Sequence, residues 1–275
     1  MKPIIAPTDF SPVSLNAVNY AADLACAING SLFLIHVFHL PMVYSEVPVA
    51  IGNVDDMVKE AEKKIKELTE KVARATGGRI KINSEVKVGS VVPELETLCE
   101  TIDPCYIVMG TQGAGKFERL LWGSNTVSAM KNISWPLIIV PPDAKFTSIK
   151  KIGFACDLKN VAETAPIEEI EDLVKRFGAE LHIVHVNAEH GQAYGPEIID
   201  ESTLLQEMLD ELRPVYHFLN DVNIEVGLSE YAEKNKLDLL IVVPKRHNLI
   251  DKLLHKSHSK QLVLHTHVPV ISMHE

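Results

Sequence analysis

The chain repeats itself at a fixed offset of 148 to 149 residues, and this repeat limits what it can fold into more than any other feature. Pro3-Ile4-Ile5-Ala6-Pro7-Thr8-Asp9 and Lys151-Ile152-Gly153-Phe154-Ala155-Cys156-Asp157 are both short apolar strands closed by an aspartate. Leu15–Ala27 and Ala165–Phe177 follow, with apolar residues at the three- and four-residue spacing of one buried helix face. Gly30 and Gly178 come next, each suited to a helix C-terminal turn, and then the second strands Leu32–Val37 and Leu181–Val186 with their shared xHV ends.

The parallel order extends further. A charged helix over 54–75 is matched with one over 202–218, and a strand over 85–89 with one over 224–227. Apolar strands 106–109 and 239–243 follow, then closing strands 137–140 and 268–271. Continuous Val/Ile/Leu strands alternating with helices predict parallel sheets covered on both faces. The expected fold class is α/β, with two doubly wound, five-stranded, Rossmann-like domains over residues 1–145 and 149–275. The short connection between them predicts that the halves pack together. The closing strands 137–140 and 268–272 are apolar and are expected at sheet edges, where an open edge invites pairing. This predicts an internal pseudo-dimer, and a homodimer of two chains through edge strands.

Composition narrows the partners. A net charge of −10 shows no basic footprint for nucleic acid. Up to Ser148 there are 14 basic against 16 acidic residues, and beyond it 13 against 21, so the acidic excess lies in the second half with ten of the 12 histidines. Cys26, Cys99, Cys105 and Cys156 form no CxxC pair and read as small core residues of a cytoplasmic protein. Without an apolar run near about 18 residues, no membrane segment is expected.

The chemistry concentrates after the fourth strand, where Gly110, Gly113, Gly123 and Ser124 stand in the pattern G-x2-G-x9-G-S. Glycines in a loop leaving a parallel strand let backbone N–H groups converge on an anion with no Cβ in the way. Gly123-Ser124 open the last helix, whose N-terminus offers unbonded amides and the positive end of the dipole to a phosphate. Gly110-x4-Gly115-Lys116 approaches a P-loop, but Phe117 stands where Ser or Thr would hold magnesium.

This motif, on a five-stranded unit beginning with a strand-Asp, resembles the ATP-binding class of the universal stress protein family. The resemblance covers both halves, and the nucleotide motif only the first. It implies an ATP, ADP or AMP site, with Mg2+ as a companion ion. Asp9 would meet the adenine or ribose edge, with Pro7 and Thr8 shaping the pocket. Val37 would touch the base, and Phe38 would flank it. Met109 and Gly110 would lie beside the ribose and α-phosphate, and Gln112, Gly113, Gly123, Ser124 and Asn125 along the phosphates. It also implies a regulatory role in stress response through an unknown protein partner, with slow ATP hydrolysis and a purely structural dimerisation module as alternatives.

Two residue readings compete with this. Asp9 also suits the role of a cap on the helix that follows, and His36 and His185 that of hydrogen-bonded structural histidines. The second half keeps Asp157 and Val186 but has Val243-Pro244-Lys245-Arg246 in place of the phosphate loop and Lys256-Ser257 in place of Gly123-Ser124. Proline donates no N–H, so a degenerate site is expected there. His247, His255, His258, His265 and His267 raise zinc binding, but no carboxylate or cysteine falls at matching spacing.

Overall fold

The computed structural model describes residues 2–39, 54–111, 123–187, 195–244 and 266–274. In the first half β1 (Pro3–Pro7), α1 (Pro12–Ala27), β2 (Ser31–Phe38), α2 (Val54–Ala75) and β3 (Ile82–Val88) come first. α3 (Val91–Ile102), β4 (Tyr106–Gly110), α4 (Ser124–Asn132) and β5 (Leu137–Val140) complete it. The second half runs β6 (Lys151–Ala155), α5 (Val161–Thr164), α6 (Ile167–Phe177), β7 (Glu180–Asn187), α7 (Pro196–Met208), β8 (Val215–Asn220), α8 (Ile224–Lys234), β9 (Leu239–Val242) and β10 (Val270–Ser272). Among the described residues no helix is long and apolar enough to cross a membrane.

The expected strands are built from residues that must be buried on both sides. β4, β5 and β9 are buried at every position, which a parallel strand between two helical layers requires. One apolar cluster lies under α1, α2, α6 and α7 and includes Leu24, Ile65, Leu173 and Leu205. The other lies under α3, α4 and α8 and includes Leu95, Met130 and Leu228. Both clusters run across the two halves without a break.

The reason is the sheet. Among the described residues its ten strands lie in the order β3-β2-β1-β4-β5-β10-β9-β6-β7-β8, two five-stranded units of identical order joined edge to edge. The joint is the antiparallel pair β5·β10, with Val270 opposite Ile139, Ile271 opposite Ile138 and Ser272 opposite Leu137. Each closing strand is thus the edge of its own unit and covers the other's. Because the joint is antiparallel while each unit is parallel, the strand carboxyl ends of the two halves point in opposite directions.

Two expectations about the second half fail. The helix expected over 202–218 ends at Met208, and the strand expected over 224–227 is the first turn of α8. Pro214 cannot continue a helix, and after it the aromatic and β-branched run Val215–Asn220 forms the third strand of that unit. Asn223 then caps α8, its Oδ1 accepting the amides of Glu225 at 3.1 Å and Val226 at 3.2 Å. The helix expected over Ala165–Phe177 is present as α6, which begins at Ile167 after Pro166.

Candidate functional site

In the first half β1 has β2 on one side and β4 on the other. After β1 the chain fills one side of the sheet with β2 and β3, then crosses to β4 and β5. The carboxyl ends of β1 and β4 therefore border the crevice where open α/β sheets hold ligands. Pro7, Thr8 and Asp9 stand at the end of β1, Val37 and Phe38 at the end of β2, and Met109 and Gly110 at the end of β4. Gly123, Ser124 and Asn125 stand at the start of α4. Ten of the twelve expected site residues thus stand at the carboxyl ends of β1, β2 and β4 or at the start of α4. Gln112 and Gly113 lie outside the described residues.

The turn from β1 into α1 is tightly braced. Thr8 is buried, its amide donates to Ile35 O at 2.9 Å, and its Oγ1 lies 3.0 Å from Ser14 Oγ. His36 Nδ1 donates to Thr8 O at 2.7 Å, and its ring packs against Phe10 at 4.6 Å and Phe38 at 5.8 Å. Phe10 takes a left-handed backbone, φ 63°, to make this turn. Ser11, not Asp9, caps α1, its Oγ accepting Ser14 N at 3.2 Å. Asp9 accepts Ser11 N at 3.0 Å through Oδ1, and the residue is exposed at the mouth of the crevice. The capping reading of Asp9 is therefore corrected, and Thr8 braces the turn with its side chain instead of facing the crevice.

Gly110 is a glycine for a reason the motif does not reveal. A Cβ there would come within 2.8 Å of Val13 Cγ1 and 2.9 Å of Val13 O. The first turn of α1 presses directly on the end of β4. Gly110 O also accepts Thr126 Oγ1 at 2.9 Å, which ties α4 to the same point. Sequence reasoning missed Val13 and Thr126, because neither pattern nor spacing signals a partner that only the folded sheet brings near.

α4 opens on Gly123 with φ −59°, a backbone any residue adopts. The helical ladder begins with Thr126 N and Val127 N, donating to Gly123 O at 3.0 and 3.2 Å. The amides of Ser124 and Asn125 precede that ladder at the exposed, positive end of the helix.

The second half repeats the brace. His185 Nδ1 donates to Cys156 O at 3.0 Å, Cys156 N to Val184 O at 3.1 Å, and Leu158 N to Cys156 Sγ at 3.4 Å. Val243 stands at the position of Gly110, and the helix corresponding to α1 is split into α5 and α6. Lys245, Arg246, His247, His255, Lys256, Ser257, His258 and His265 lie outside the described residues. Among the described residues no cluster of His, Cys, Asp or Glu has metal-holding geometry.

Twin units of one strand order, each with a His of its second strand bonded to a carbonyl just after its first, fit a duplicated domain. The sequence profile of the universal stress protein family matches residues 1–141 and again 148–273. The chain belongs to the universal stress protein family. A universal stress protein of Methanocaldococcus jannaschii is 30% identical over 145 residues, 52% of this chain and 84% of the relative. The universal stress protein A homolog 1 of Coxiella burnetii is 30% identical over 124 residues, 44% of this chain and 83% of the relative. Across the full length, the crystal structure of a universal stress protein from Archaeoglobus fulgidus superimposes with a TM-score of 0.75, covering 99% of this chain and 98% of that one at 21% identity. The likeness establishes a shared tandem fold.

Proposed function

We propose that this tandem universal stress protein binds an adenine nucleotide in its first half and acts as a cytoplasmic, nucleotide-dependent regulator through protein partners. What supports this is that Asp9, an exposed carboxylate, follows β1, while the amides of Ser124 and Asn125 open α4 after β4, the strand paired with β1. The first suits a hydroxyl or amino donor of a nucleoside, and the second suits phosphate oxygens. Gly123 adds support: its backbone needs no glycine, so the missing side chain serves close approach to the helix start. Val37 and Met109, on the same face of the sheet, supply an apolar wall for a base. We assign residues 1–145 and 149–275 to the two domains, with Gln112 and Gly113 completing the phosphate side of the first.

The test is to purify the protein, denature it and identify any released nucleotide by mass, and to titrate the emptied protein with ATP, ADP and AMP by calorimetry. We expect saturable binding of about one nucleotide per chain. The double variant Gly113→Val with Gly123→Val should abolish it while the circular dichroism spectrum is preserved. Unchanged occupancy in that variant would overturn the assignment.

A further inference from the structure

The duplication supplies an internal comparison, because α2 and α7 each follow the second strand of their unit and pack on the same face of the sheet. α2 is 22 residues long, buries Ala61, Ile65, Leu68 and Val72, and lies against β2 and β3. Its outer surface is an ordinary solvated one. It carries six acidic and six basic residues, Lys64 pairs with Glu60 at 2.7 Å, and no large apolar side chain of α2 is exposed. α7 is 13 residues long and buries Leu205 alone. Beside it an open hollow of about 420 Å3 is lined by Ile198, Ile199 and Ser202 of α7 and Phe218 of β8. Ile199 is 56% exposed there. The first unit covers this place with its own long helix, whereas the second leaves apolar surface at it.

The charge of the two helices differs as well. Residues 196–212, α7 and the turn after it, carry Glu197, Asp200, Glu201, Glu207, Asp210 and Glu211 and no lysine or arginine. Glu201 is used within the fold, accepting Val161 N at 2.8 Å, and Glu211 pairs with Lys175 at 2.9 Å. Glu197, Asp200, Glu207 and Asp210 are exposed, and no ion pair among the described residues neutralises them. Between Arg176 and Lys234 the chain has twelve acidic residues and one basic residue, Arg213, so the potential around the hollow is negative.

We propose that the face formed by α7 and β8 docks a basic amphipathic helix of a partner protein. The apolar side of that helix seats in the hollow over Ile199, and its lysines or arginines meet Asp200 and Glu207. These two carboxylates are seven residues apart and so lie on one side of α7. The proposal rests on the reading of the protein as a regulator that acts through partners, and it names the surface they use. Charge selects the occupant. A second copy would set the same carboxylates against each other, and nucleic acid or an anionic membrane would be repelled in the same way. A helix is the fitting form because α2 occupies the corresponding face of the first unit, and an apolar groove takes an amphipathic helix by its apolar side.

Fluorescence anisotropy of a labelled synthetic helix of leucine and lysine, titrated with the full chain, tests the proposal. Saturable binding is expected, with slower hydrogen exchange at the amides of α7. Ile199→Ser, and separately the pair Asp200→Lys with Glu207→Lys, should each weaken binding about tenfold or more. All three positions are exposed, so the circular dichroism spectrum should not change. The pair Glu62→Lys with Glu70→Lys makes the same change of charge on α2 and should leave binding as it was. A helix with serine in place of leucine should not saturate. Equal binding of the serine helix, no saturable binding at all, or binding unmoved by Ile199→Ser would overturn the proposal. So would self-association of the full chain, or attachment to anionic phospholipid vesicles, that Ile199→Ser abolishes. Nucleotide titration of the same variants keeps the two readings apart: it should be unchanged, and failure of the parent chain to bind nucleotide would overturn the first-half assignment while leaving the peptide result standing.

Discussion

His36 Nδ1 donates to the carbonyl of Thr8 at 2.7 Å, and 149 residues later His185 does the same to Cys156 at 3.0 Å. The duplicated bond ties the end of each second strand to the turn that follows each first strand. In the first half that turn presents Asp9. The reading of both histidines as structural is therefore correct, but their structure serves the shape of the crevice mouth.

Replacing His36 should expose this link. His36→Leu leaves the partly buried Thr8 carbonyl without its donor, which costs about 1–3 kcal/mol of stability. His36→Asn, which can present an amide N–H to the same oxygen, should recover most of that loss. Urea unfolding of the two variants, together with nucleotide titration, measures both effects. Equal losses in Leu and Asn would show that ring packing against Phe10, not the hydrogen bond, holds the turn.

Gly110→Ala should destabilise although the backbone tolerates alanine. The added methyl would meet Val13 O at 2.9 Å, and main chain cannot swing aside as a side chain can. Overpacking of this kind costs about 1–3 kcal/mol. A second change, Val13→Gly, relieves only the 2.8 Å side-chain contact, so it should rescue little. Denaturant midpoints of the single and double variants decide this, and full rescue would mean that the side chain alone is the obstacle.

Asp238 should prove important to the start of the second half. Its Oδ2 accepts the amides of Lys150 at 2.7 Å and Lys151 at 2.9 Å, fixing where β6 begins beside β9. Asp238→Ala removes a side-chain acceptor shared by two backbone donors, for a loss of about 1–3 kcal/mol. Asp238→Asn keeps one oxygen and should lose less. Thermal unfolding of both variants gives the order.

Acid should weaken the second half selectively. His182 is buried, with Nδ1 2.7 Å from Tyr231 Oη and Nε2 3.1 Å from Glu180 Oε1, and its ring stacks on His217 at 5.3 Å. Burial holds both imidazoles below their ordinary value of 6.5. For His182 the neighbouring His217 and Lys151 act in the same direction, and Glu180 opposes. The unfolded chain then binds more protons than the folded one as pH drops through about 6.5, so stability declines from there until pH passes below both folded values. Urea midpoints at about pH 7.5 and about pH 5.5 should show the drop, and His217→Phe should shrink it. An undiminished drop in that variant would assign the acid sensitivity to other groups.

Some of this architecture could be read directly from the residues. The helix over Val54–Ala75 and the strands around Ile107, Ile138 and Leu240 carry their burial in their own pattern, an amphipathic stripe in one case and unbroken apolar runs in the others. The places of the candidate residues at the ends of β1, β2 and β4 were legible for a related reason: they follow from the strand pattern, and open α/β sheets offer a crevice at such ends. The second half was harder. Extending the repeat by offset alone placed Phe218 in a helix and Ile224 in a strand, whereas Pro214 and the Asn223 cap decide the opposite locally.

By itself, the sequence determined that the chain is two copies of one α/β unit, where the strands and most helices lie, and which half carries the G-x2-G-x9-G-S pattern. Hydrophobic period and turn chemistry act between near neighbours, so they can be read from a string of residues. Only the tertiary structure decided that β5 closes on β10, that Val13 requires a glycine at 110, and that β8 lies outermost in the second unit. Each of these depends on atoms about a hundred residues apart or on strand order across the whole sheet, and packing at that range is set by the assembled core, which no local pattern records.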